Sequence, residues 1–599
     1  MRSTRVLPLL VAVVTMIPFL TSLSGEFLNW DDGVGLVTNE AYRGLGRHQL
    51  VWMFTNTRLG HYMPLTWVTF GVNYVLGGMQ PWGYHLVNVL LHGANAALLL
   101  LVAIPVLGAV RSRALPSSDS REAVGDGPMP AVVAGATLAA LTFGLHPQRV
   151  EPVAWVTGRP ALLSTLFYLI AVLGYLQTLG PAPSPSSRWW RLTSLIAFVA
   201  AVLSHPLAMT LPLTVLVLDV YPFRRHRTHG WGLLAEKIPY ALVALGAAAL
   251  AALARHQGVM WTEAAARDLP TKLASAGQSL WFYPASFVWP VGLSPLYEMP
   301  RKAGLMDPRF LLPWIGALAT LLVLVRLRRR FPGGLAAWIH MAVVVAPVSG
   351  IVHTGIQLGA DRYAYQADLG FALLIGYGLT WALILREQGR LRPLIARAIT
   401  GTAAFVVVAL GLSTWVYAGL WQDSETLWRW AVEIDGDCAV CNVNLSEAIV
   451  AGAVRQGVDR VPARAAEAEG YARRALTLRP DLADAYFNLG TVLAAQHRYD
   501  EAEVALRAYV ERAPWDPGGP GRLGLLRMVQ GRPAEAVPFL RRAVAMDPAS
   551  RMLRQQLAEA LREHAGQLER SGRASEATAL LEETTRLGAD AAGHPARSP

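Results

Sequence analysis

The run YHLVNVLLHGANAALLLLVAIPVLGAV, residues 84–110, decides the fold class of this chain. It contains no Asp, Glu, Lys or Arg, and it is longer than the roughly 20 apolar residues that an α-helix needs to cross a bilayer. Of all 599 residues, 53% are hydrophobic and only 16% are charged, and the mean hydropathy is +0.33. This composition is too apolar for a soluble protein, so the sequence predicts an all-α, polytopic membrane protein.

Ten further apolar runs bring the predicted count to eleven transmembrane helices. The predicted spans are 7–23, 84–110, 131–145, 161–179, 192–203, 207–220, 232–253, 310–325, 334–351, 369–385 and 398–420. The stretch 273–296 is also apolar, but Pro284, Pro290 and Pro295 interrupt it, so we predict a partly re-entrant or interfacial segment there. The first run could instead belong to a cleaved signal peptide, but residues 25–27 (GEF) are a poor cleavage site, which favours a retained helix.

Basic residues set the predicted topology. The net charge is +11, and the arginines cluster in short segments between the apolar runs, as at Arg111 and Arg113 or in the group 326–330. We interpret this charge as a positive-inside signal rather than as a nucleic-acid-binding surface. Arg2 and Arg5 place the N-terminus inside, so the loop after the first span and, with an odd count, the C-terminal region lie outside. The Ala-, Arg- and Gly-rich composition favours a bacterial inner membrane with a periplasmic outer face, although an endoplasmic reticulum membrane stays open.

A 34-residue repeat follows the last apolar run. Its marks are Pro480, Pro514 and Pro548, then Leu489, Leu523 and Leu557, and finally Gly490, Gly524 and Ala558. The spacing is typical of tetratricopeptide repeats, which stack helix pairs into an α-solenoid that binds peptides or serves as a spacer. We therefore predict a transmembrane domain over 1–422 with its first outer loop at 24–83, a repeat domain over 423–590 and a disordered tail over 591–599.

Two cysteines form a CxxC pair, Cys438 and Cys441. In an oxidising outer compartment such a pair can close a disulfide, whereas a zinc site needs two further ligands that the neighbourhood lacks. We predict a structural disulfide or free thiols ahead of redox chemistry.

Polar side chains gather at the outer ends of the predicted spans. The set is Asp31, Asp32, His61, Tyr62, His85, His146, Glu151, Arg159, His205, His353, Asp361 and Arg362. Each has an ordinary interpretation: Asp31 and Asp32 as solvated loop charges, or Asp361 and Arg362 as an internal ion pair. Ionisable residues near a membrane boundary cost free energy unless they are hydrated, paired or used. Their concentration on one face favours a functional site.

Several of these residues lie in motifs that resemble a known family. The motifs are FLNWDD (27–32), HYMPLT (61–66), GYHLVNVLLH (83–92), His146-Pro147 with Glu151, Gly158-Arg159, and ADRY (360–363). In this order, ahead of the repeats, they resemble the transmembrane and tetratricopeptide repeat O-mannosyltransferases and their bacterial relatives. The resemblance implies a GT-C glycosyltransferase fold and a polyprenyl-phosphate sugar donor. In eukaryotic members it implies transfer of mannose to Ser or Thr of proteins.

The expected roles follow from the needs of such a transfer. Asp31 or Asp32 is the candidate base, because a carboxylate can take the proton of an attacking hydroxyl in an inverting displacement. The lipid phosphate needs fixed donors, for which we expect Arg362, helped by Arg159 and His205. Five other members would position the substrate: His61, Tyr62, His85, His146 and Glu151. No metal cage is legible in the sequence, and a divalent cation between the aspartates and the phosphate stays open.

One motif departs from the family. The chain has Ser204-His205-Pro206 where Ser-Lys-Pro or Ser-Lys-Glu is expected, so a phosphate contact by His205 would depend on its protonation. The predicted partners are a polyprenyl-phosphate sugar, membrane lipid, and a protein or glycan acceptor recruited by the repeats, with no nucleic acid. Two alternatives remain: a glycan transferase similar to O-antigen ligases, whose chemistry would centre on late loops, and a non-catalytic membrane-anchored repeat scaffold.

Overall fold

The structure is a computed structural model that describes residues 2–114, 130–179, 185–256, 268–300, 304–351, 356–457, 461–548 and 550–593. It is 81% helical, and its described part has no strand beyond a single bridge between Glu298 and Gln357. The all-α prediction is therefore confirmed. The chain divides into two compact units, Met1–Leu427 and Trp428–Pro599. His353 lies outside the described residues.

The first unit consists of membrane helices joined by short helical turns. Its α-helices, numbered in chain order, are α1 Arg2–Met16, α2 Arg47–Thr55, α3 Pro64–Gly77, α4 Pro81–Ala114, α5 Pro130–Gly144, α6 Val150–Ala154, α7 Arg159–Gln177, α8 Pro185–Ser204, α9 Leu211–Val220, α10 His226–His229, α11 Gly232–Ala235, α12 Ile238–His256, α13 Leu269–Val288, α14 Pro308–Leu327, α15 Pro332–Val345, α16 Asp361–Ala367, α17 Leu369–Glu387, α18 Pro393–Gly419 and α19 Ser424–Ile434, the last of which continues into the second unit. Short 3₁₀ segments are Ile17–Ser24, Arg58–Gly60, Pro147–Arg149, Val156–Gly158, Pro206–Thr210 and Ala346–Val348, and Gly33–Val37 is a π-helical turn.

Six helices in the described part are long and apolar enough to cross a membrane, and a seventh span results if Pro130–Gly144 and Pro147–Ala154, bent by 58°, count as one. Shorter apolar helices at Pro206–Val220, Ile238–Ala254 and Pro332–Val348 cover three more predicted runs. The remaining run, 192–203, lies within α8, so all eleven predicted runs overlap helices. Three of these helices are shorter than a full membrane span, because prolines and polar turns end them early. These helices make the chain a multi-pass membrane protein.

Two predicted boundaries differ from the structure. The stretch 273–296 overlaps the 20-residue helix α13, which begins at Leu269, passes through Pro284 and ends at Val288, so the break comes later than predicted. The helix Ala574–Gly593 extends into the predicted tail, whose remaining residues, 594–599, lie outside the described part.

Small residues allow the central membrane helices to pack closely. Helix α4 lies against α1, α5 and α7, and α5 lies against α17. A Cβ added at Gly135 on α5 would lie 2.4 Å from the carbonyl oxygen of Gly376 on α17, so the two backbones approach where neither residue carries a side chain. Such contacts hold membrane helices together where lipid offers no hydrophobic driving force.

The second unit is an array of antiparallel helix pairs. Its helices are α20 Ala439–Gln456, α21 Val461–Leu478, α22 Ala483–Ala495, α23 Tyr499–Arg512, α24 Gly518–Val529, α25 Pro533–Met546, α26 Arg551–Arg570 and α27 Ala574–Gly593. A Cβ at Gly490 would lie 2.6 Å from Cγ of Leu506, and one at Gly524 would lie 2.6 Å from Cγ of Leu540. The same crossing therefore recurs in successive repeats, and the repeat prediction is confirmed.

Cys438 and Cys441 form a disulfide at the start of α20, with their Cα atoms 5.2 Å apart. Of the states predicted from the CxxC spacing, the structure contains the structural disulfide.

Candidate functional site

Asp32 anchors the loop after the first span to the turn around Thr157. Its carboxylate is fully buried and accepts hydrogen bonds from the backbone N–H of Leu28 (3.0 Å), from the backbone N–H of Thr157 (2.9 Å) and from the Thr157 hydroxyl. Burial raises the pKa of Asp32 to about 6, although these hydrogen bonds act to lower it. A carboxylate with three fixed donors is a structural joint between two loops.

The turn that presents Thr157 depends on a glycine. In the 3₁₀ segment Val156–Gly158, the backbone of Gly158 passes directly against Pro152, and a Cβ at Gly158 would lie 2.5 Å from the Pro152 carbonyl oxygen. Such a distance is below any ordinary van der Waals contact, so only glycine allows the chain to return against helix α6. The close return carries Thr157 to the carboxylate of Asp32.

Asp31, next in the chain, is placed differently. Its side chain is only partly buried, and no donor to its carboxylate is found in the described part of the chain. Burial raises the pKa of Asp31 above its usual range, the positive charge of Arg362 lowers it, and the negative charge of Glu151 raises it again. A carboxylate that is accessible, is not fixed by hydrogen bonds and has a raised pKa has the properties of a general base.

Arg362 pairs with Glu151 and not with its neighbour Asp361. The backbone N–H of Arg362 donates to Glu151 Oε2 at 2.8 Å, and its Nη1 donates to Oε1 of the same carboxylate. The guanidinium also lies over the rings of Tyr363, at 5.0 Å, and Trp155, at 5.5 Å. Burial acts to lower the pKa of Arg362, but the Glu151 carboxylate outweighs it and raises the pKa. The guanidinium stays charged, and its side chain remains 19% exposed.

Asp361 contributes a further buried carboxylate at the start of α16. The hydroxyl of Tyr297 lies 3.4 Å from both of its carboxylate oxygens. Tyr297 reaches it because the chain around residues 297–299 pairs with 356–358, through Leu358 N to Tyr297 O and Met299 N to Ile356 O, both 2.8 Å. Burial, and after it the charge of Glu151, raises the pKa of Asp361 well above its usual range.

Among the described residues, the site therefore groups several acids around two arginines. Asp31 and Glu151 interact electrostatically with Arg362, Asp361 interacts with Glu151, Arg149 and Asp368, and Asp32 joins the two loops. Such a cluster can accept a proton on its least constrained carboxylate and can place a guanidinium against an anionic group. Among the described residues, no group of three or more His, Cys, Asp or Glu side chains could hold a metal ion.

Arg159 is occupied by the protein itself. It is fully buried and donates to Asn73 Oδ1 (2.5 Å), to Asn88 Oδ1 (2.9 Å) and to the carbonyl oxygen of Tyr84 (2.8 Å). Its guanidinium also lies 4.3 Å from the centre of the Phe70 ring. This geometry favours a role in joining α3, α4 and α7 over the predicted contact with a donor phosphate.

His85 and His146 are also committed to packing. His85 is fully buried against the turn after the first span, where a Cβ at Gly25 would lie 3.1 Å from its Nε2. His146 has Nε2 3.0 Å from the carbonyl oxygen of Phe287, and its ring stacks on the Phe287 ring at 5.0 Å. Both support the loops of the site, and their geometry does not favour direct substrate contact.

His61, Tyr62 and His205 form a second group. The rings of His61 and His205 are 5.5 Å apart, and Nδ1 of His205 accepts the backbone N–H of Leu207 at 3.2 Å. The Tyr62 hydroxyl donates to the carbonyl oxygen of Phe54 at 3.1 Å, and its ring lines an apolar groove between α8 and α12. The roles predicted for these three residues remain predictions.

Three residues of the site were not predicted from the sequence. Thr157 and Trp155 lie between the motif residues Glu151 and Gly158, but nothing in their identity indicates contact with Asp32 or Arg362. Tyr297 follows a proline-rich stretch, and its place beside Asp361 depends on pairing between distant segments. An aromatic hydroxyl next to a run of prolines at an outer end is the only signal that the sequence offers for it.

Comparisons with known proteins agree with the motifs. A family model for the tetratricopeptide repeat matches residues 483–514. Protein O-mannosyl-transferase TMTC4 of Mus musculus is 34% identical over 216 residues, which cover 34% of this chain and 28% of that protein. Protein O-mannosyl-transferase TMTC2 of Homo sapiens is 30% identical over 216 residues, covering 35% of this chain and 23% of that protein.

A longer alignment is found with Protein O-mannosyl-transferase TMTC3 of Mus musculus, 24% identical over 541 residues that cover 81% of this chain and 53% of that protein. The chain thus spans between a quarter and about half the length of these curated relatives. Among solved structures, ArnT from Cupriavidus metallidurans bound to undecaprenyl phosphate aligns over 86% of this chain and 80% of its own, at 18% identity and a TM-score of 0.34. The predicted resemblance to TMTC proteins is confirmed by the named relatives.

Proposed function

We propose that this TMTC-like membrane protein is a glycosyltransferase that moves a sugar from a polyprenyl-phosphate donor to a hydroxyl acceptor at the outer membrane face. Mannose is our first candidate for the sugar, and Ser or Thr of a protein for the acceptor, because the similar proteins are named as protein O-mannosyl-transferases. The observation that carries the proposal is the accessible carboxylate of Asp31 beside the Arg362–Glu151 pair.

In this proposal Asp31 is the base and Asp32 is its support. The acceptor oxygen forms a bond to the anomeric carbon while the bond from that carbon to the phosphate oxygen breaks. The hydroxyl proton passes to Asp31, and the electron pair leaves with the lipid phosphate. A single displacement of this kind inverts the anomeric centre. Asp32 is unsuited to the role of base, since its oxygens already accept three hydrogen bonds.

Arg362 stabilises the leaving phosphate in this scheme. Among the described residues, Glu151 is its only side-chain hydrogen-bond acceptor, which leaves Nε and Nη2 of a partly exposed guanidinium for the phosphate oxygens. A fixed, permanently charged fork of this kind favours the developing negative charge of the leaving group. Glu151 holds the fork in place and, being engaged in that pair, is not the base.

The repeats are proposed to recruit the acceptor. We place them and the Asp31 loop on the outer side, as the basic inner segments indicate, in a bacterial inner membrane with a periplasmic face. Cysteine accessibility labelling at engineered positions replacing Gly33 and Arg498 tests this topology. Both sites should react with an impermeant reagent from outside, and opposite sidedness would refute the arrangement.

The function is tested with the purified full-length protein in proteoliposomes. Polyprenyl-phosphate mannose labelled in the sugar is supplied as donor with a Ser- and Thr-rich peptide as acceptor, and the product is identified by mass spectrometry. We expect transfer by the parent protein and loss of transfer in Asp31→Asn. If a panel of polyprenyl-phosphate sugars supports no transfer, and outer-compartment glycoproteins of cells lacking the gene are unchanged, the enzyme proposal fails in favour of the scaffold.

A further inference from the structure

Two ion pairs join the same two segments of the site. The pair of Arg362 with Glu151 links the start of α16 to α6. A second pair, Arg149 with Asp368, links the residue after α16 to the 3₁₀ segment before α6, and both of its side chains are 0% exposed. At 1.5 Å per residue along α16, the two pairs are separated by about 9 Å. The second pair is therefore more deeply buried than the first; it interacts electrostatically with Asp361, whereas Asp31 interacts with Arg362 and Glu151.

Stability does not account for the deeper pair. Burying two charges costs solvation that their attraction repays only when every donor and acceptor is satisfied, and apolar replacements are often as stable. Here Nε and Nη1 of Arg149 and Oδ1 of Asp368 have no hydrogen-bond partner in the described part of the chain. The pair is thus an incompletely satisfied buried network.

The surroundings hold Arg149 in one orientation. Its guanidinium lies 4.9 Å from the centre of the Phe143 ring and 5.6 Å from that of Tyr365. The Tyr365 hydroxyl is in turn fixed by His92 Nδ1 at 2.8 Å and by Asn95 Nδ2 at 3.1 Å. Because Tyr365 belongs to α16, these bonds hold the middle of α16 against α4, and the Arg149–Asp368 pair holds its C-terminal end against the 147–149 segment.

We propose that Arg149 and Asp368 are positioning residues for the transfer reaction, which lock α16 against the 147–154 segment so that Arg362 engages Glu151. Without the lock, α16 is held at Tyr365 alone and can tilt about that anchor, which displaces the side chain of Arg362 at its N-terminal end. Arg362 could then move towards the carboxylates of Asp31 or Asp361. Misplacement of a catalytic group by about 1 Å can cost about 10²-fold in rate. The reaction in this inference rests on the proposed function, whereas the lock itself does not.

The test compares a charge-free pair with its parent. In Arg149→Met with Asp368→Leu, both charges are replaced by apolar side chains, so thermal stability should remain close to that of the parent. We expect kcat to fall about 10- to 100-fold with the KM for donor nearly unchanged. Asp368→Asn, which is nearly isosteric and still offers an oxygen to Arg149, should show a smaller fall in kcat and guards against misfolding of the double variant.

Lys237→Met supplies the matched control. Lys237 forms another buried ion pair, with Asp219 at 2.8 Å, among residues remote from the site in the chain. It should lower thermal stability but leave kcat per folded molecule unchanged. Parental kcat in both Arg149/Asp368 variants would overturn the inference while leaving the proposed function intact.

A second readout does not depend on turnover. Hydrogen–deuterium exchange followed by mass spectrometry reports the backbone N–H of Arg362, which is protected by its bond to Glu151. In the double variant, and more weakly in Asp368→Asn, residues 361–364 should exchange faster than in the parent and in Lys237→Met. Unchanged exchange there overturns the lock even if the parent protein proves to have no transferase activity.

Discussion

Replacing Asp31 by Asn should slow catalysis strongly without disturbing the fold. The side chain is partly exposed and accepts no hydrogen bond from the described residues, so the amide fits where the carboxylate was. Loss of a general base slows the chemical step by roughly 10²- to 10⁴-fold. At about 1.36 kcal/mol per factor of ten, this corresponds to about 2.7–5.4 kcal/mol of transition-state free energy. Donor affinity should hardly change, because proton transfer matters mainly in the transition state.

Asp32→Asn is the internal comparison, because we expect it to lower the stability of the protein and not to remove a base. One oxygen of Asp32 faces the N–H of Leu28 and the other faces Thr157. In either orientation, an Asn side chain places its NH₂ against a backbone donor. A buried donor left without a partner costs about 1–3 kcal/mol, so the free energy of unfolding should fall and the loop should loosen.

The assay is single-turnover transfer in proteoliposomes at saturating donor, with thermal unfolding measured on the same preparations. The expected pattern is a slow but stable Asp31→Asn and a less stable Asp32→Asn. If Asp31→Asn turns over at the parental rate, Asp31 is a solvated loop charge and the assignment of the base is wrong.

Three further outcomes are expected. The base must be unprotonated to act, and burial raises the pKa of Asp31. We therefore expect kcat/KM to decline as the pH falls through a value above the usual pKa range of an aspartate. The pH–rate profile of the residual Asp31→Asn activity should lack this decline. Arg362→Lys should lower kcat about 10²-fold although the charge is kept, because a lysine ammonium cannot bind Glu151 and a phosphate at once as the planar guanidinium does. Unchanged turnover would mean that Arg362 has a structural role. Gly158→Ala should lower the free energy of unfolding by about 1–3 kcal/mol, because the added methyl group would lie 2.5 Å from the carbonyl oxygen of Pro152. Denaturation in detergent measures this change. An unchanged free energy of unfolding would show that the turn can relax.

The sequence predicted the parts of the fold that depend on periodicity. Apolar runs mark the membrane helices, and the 34-residue spacing marks the repeats, because both signals arise from local burial requirements. The lengths of the spans were less predictable. Helix α5 ends at Gly144 and the chain bends by 58° before α6, a geometry that depends on tertiary contacts.

The site was predictable as a set but not as a geometry. In the structure, Glu151 and Arg362 from two of the motifs form an ion pair, and Asp31 from a third interacts electrostatically with both. Which acid pairs with Arg362 could not be read from the chain, because side chains at adjacent helical positions diverge and Asp361 is therefore a poorer partner than a residue 211 positions away. The hydrogen-bond partners of Arg159 could not be predicted either, because the acceptors lie on the separate helices α3 and α4.

The roles proposed for Asp31 as base and Asp32 as structural support have a consequence for inactive relatives. A pseudoenzyme that retains its architecture for scaffolding would be free to lose Asp31, but it would still need Asp32 to tie its first two outer loops together through Thr157. A relative in which Asp31 is replaced and Asp32 is kept would therefore be expected to fold but to lack transferase activity. A relative that lacks Asp32 but keeps Thr157 would instead need other contacts to join the two loops.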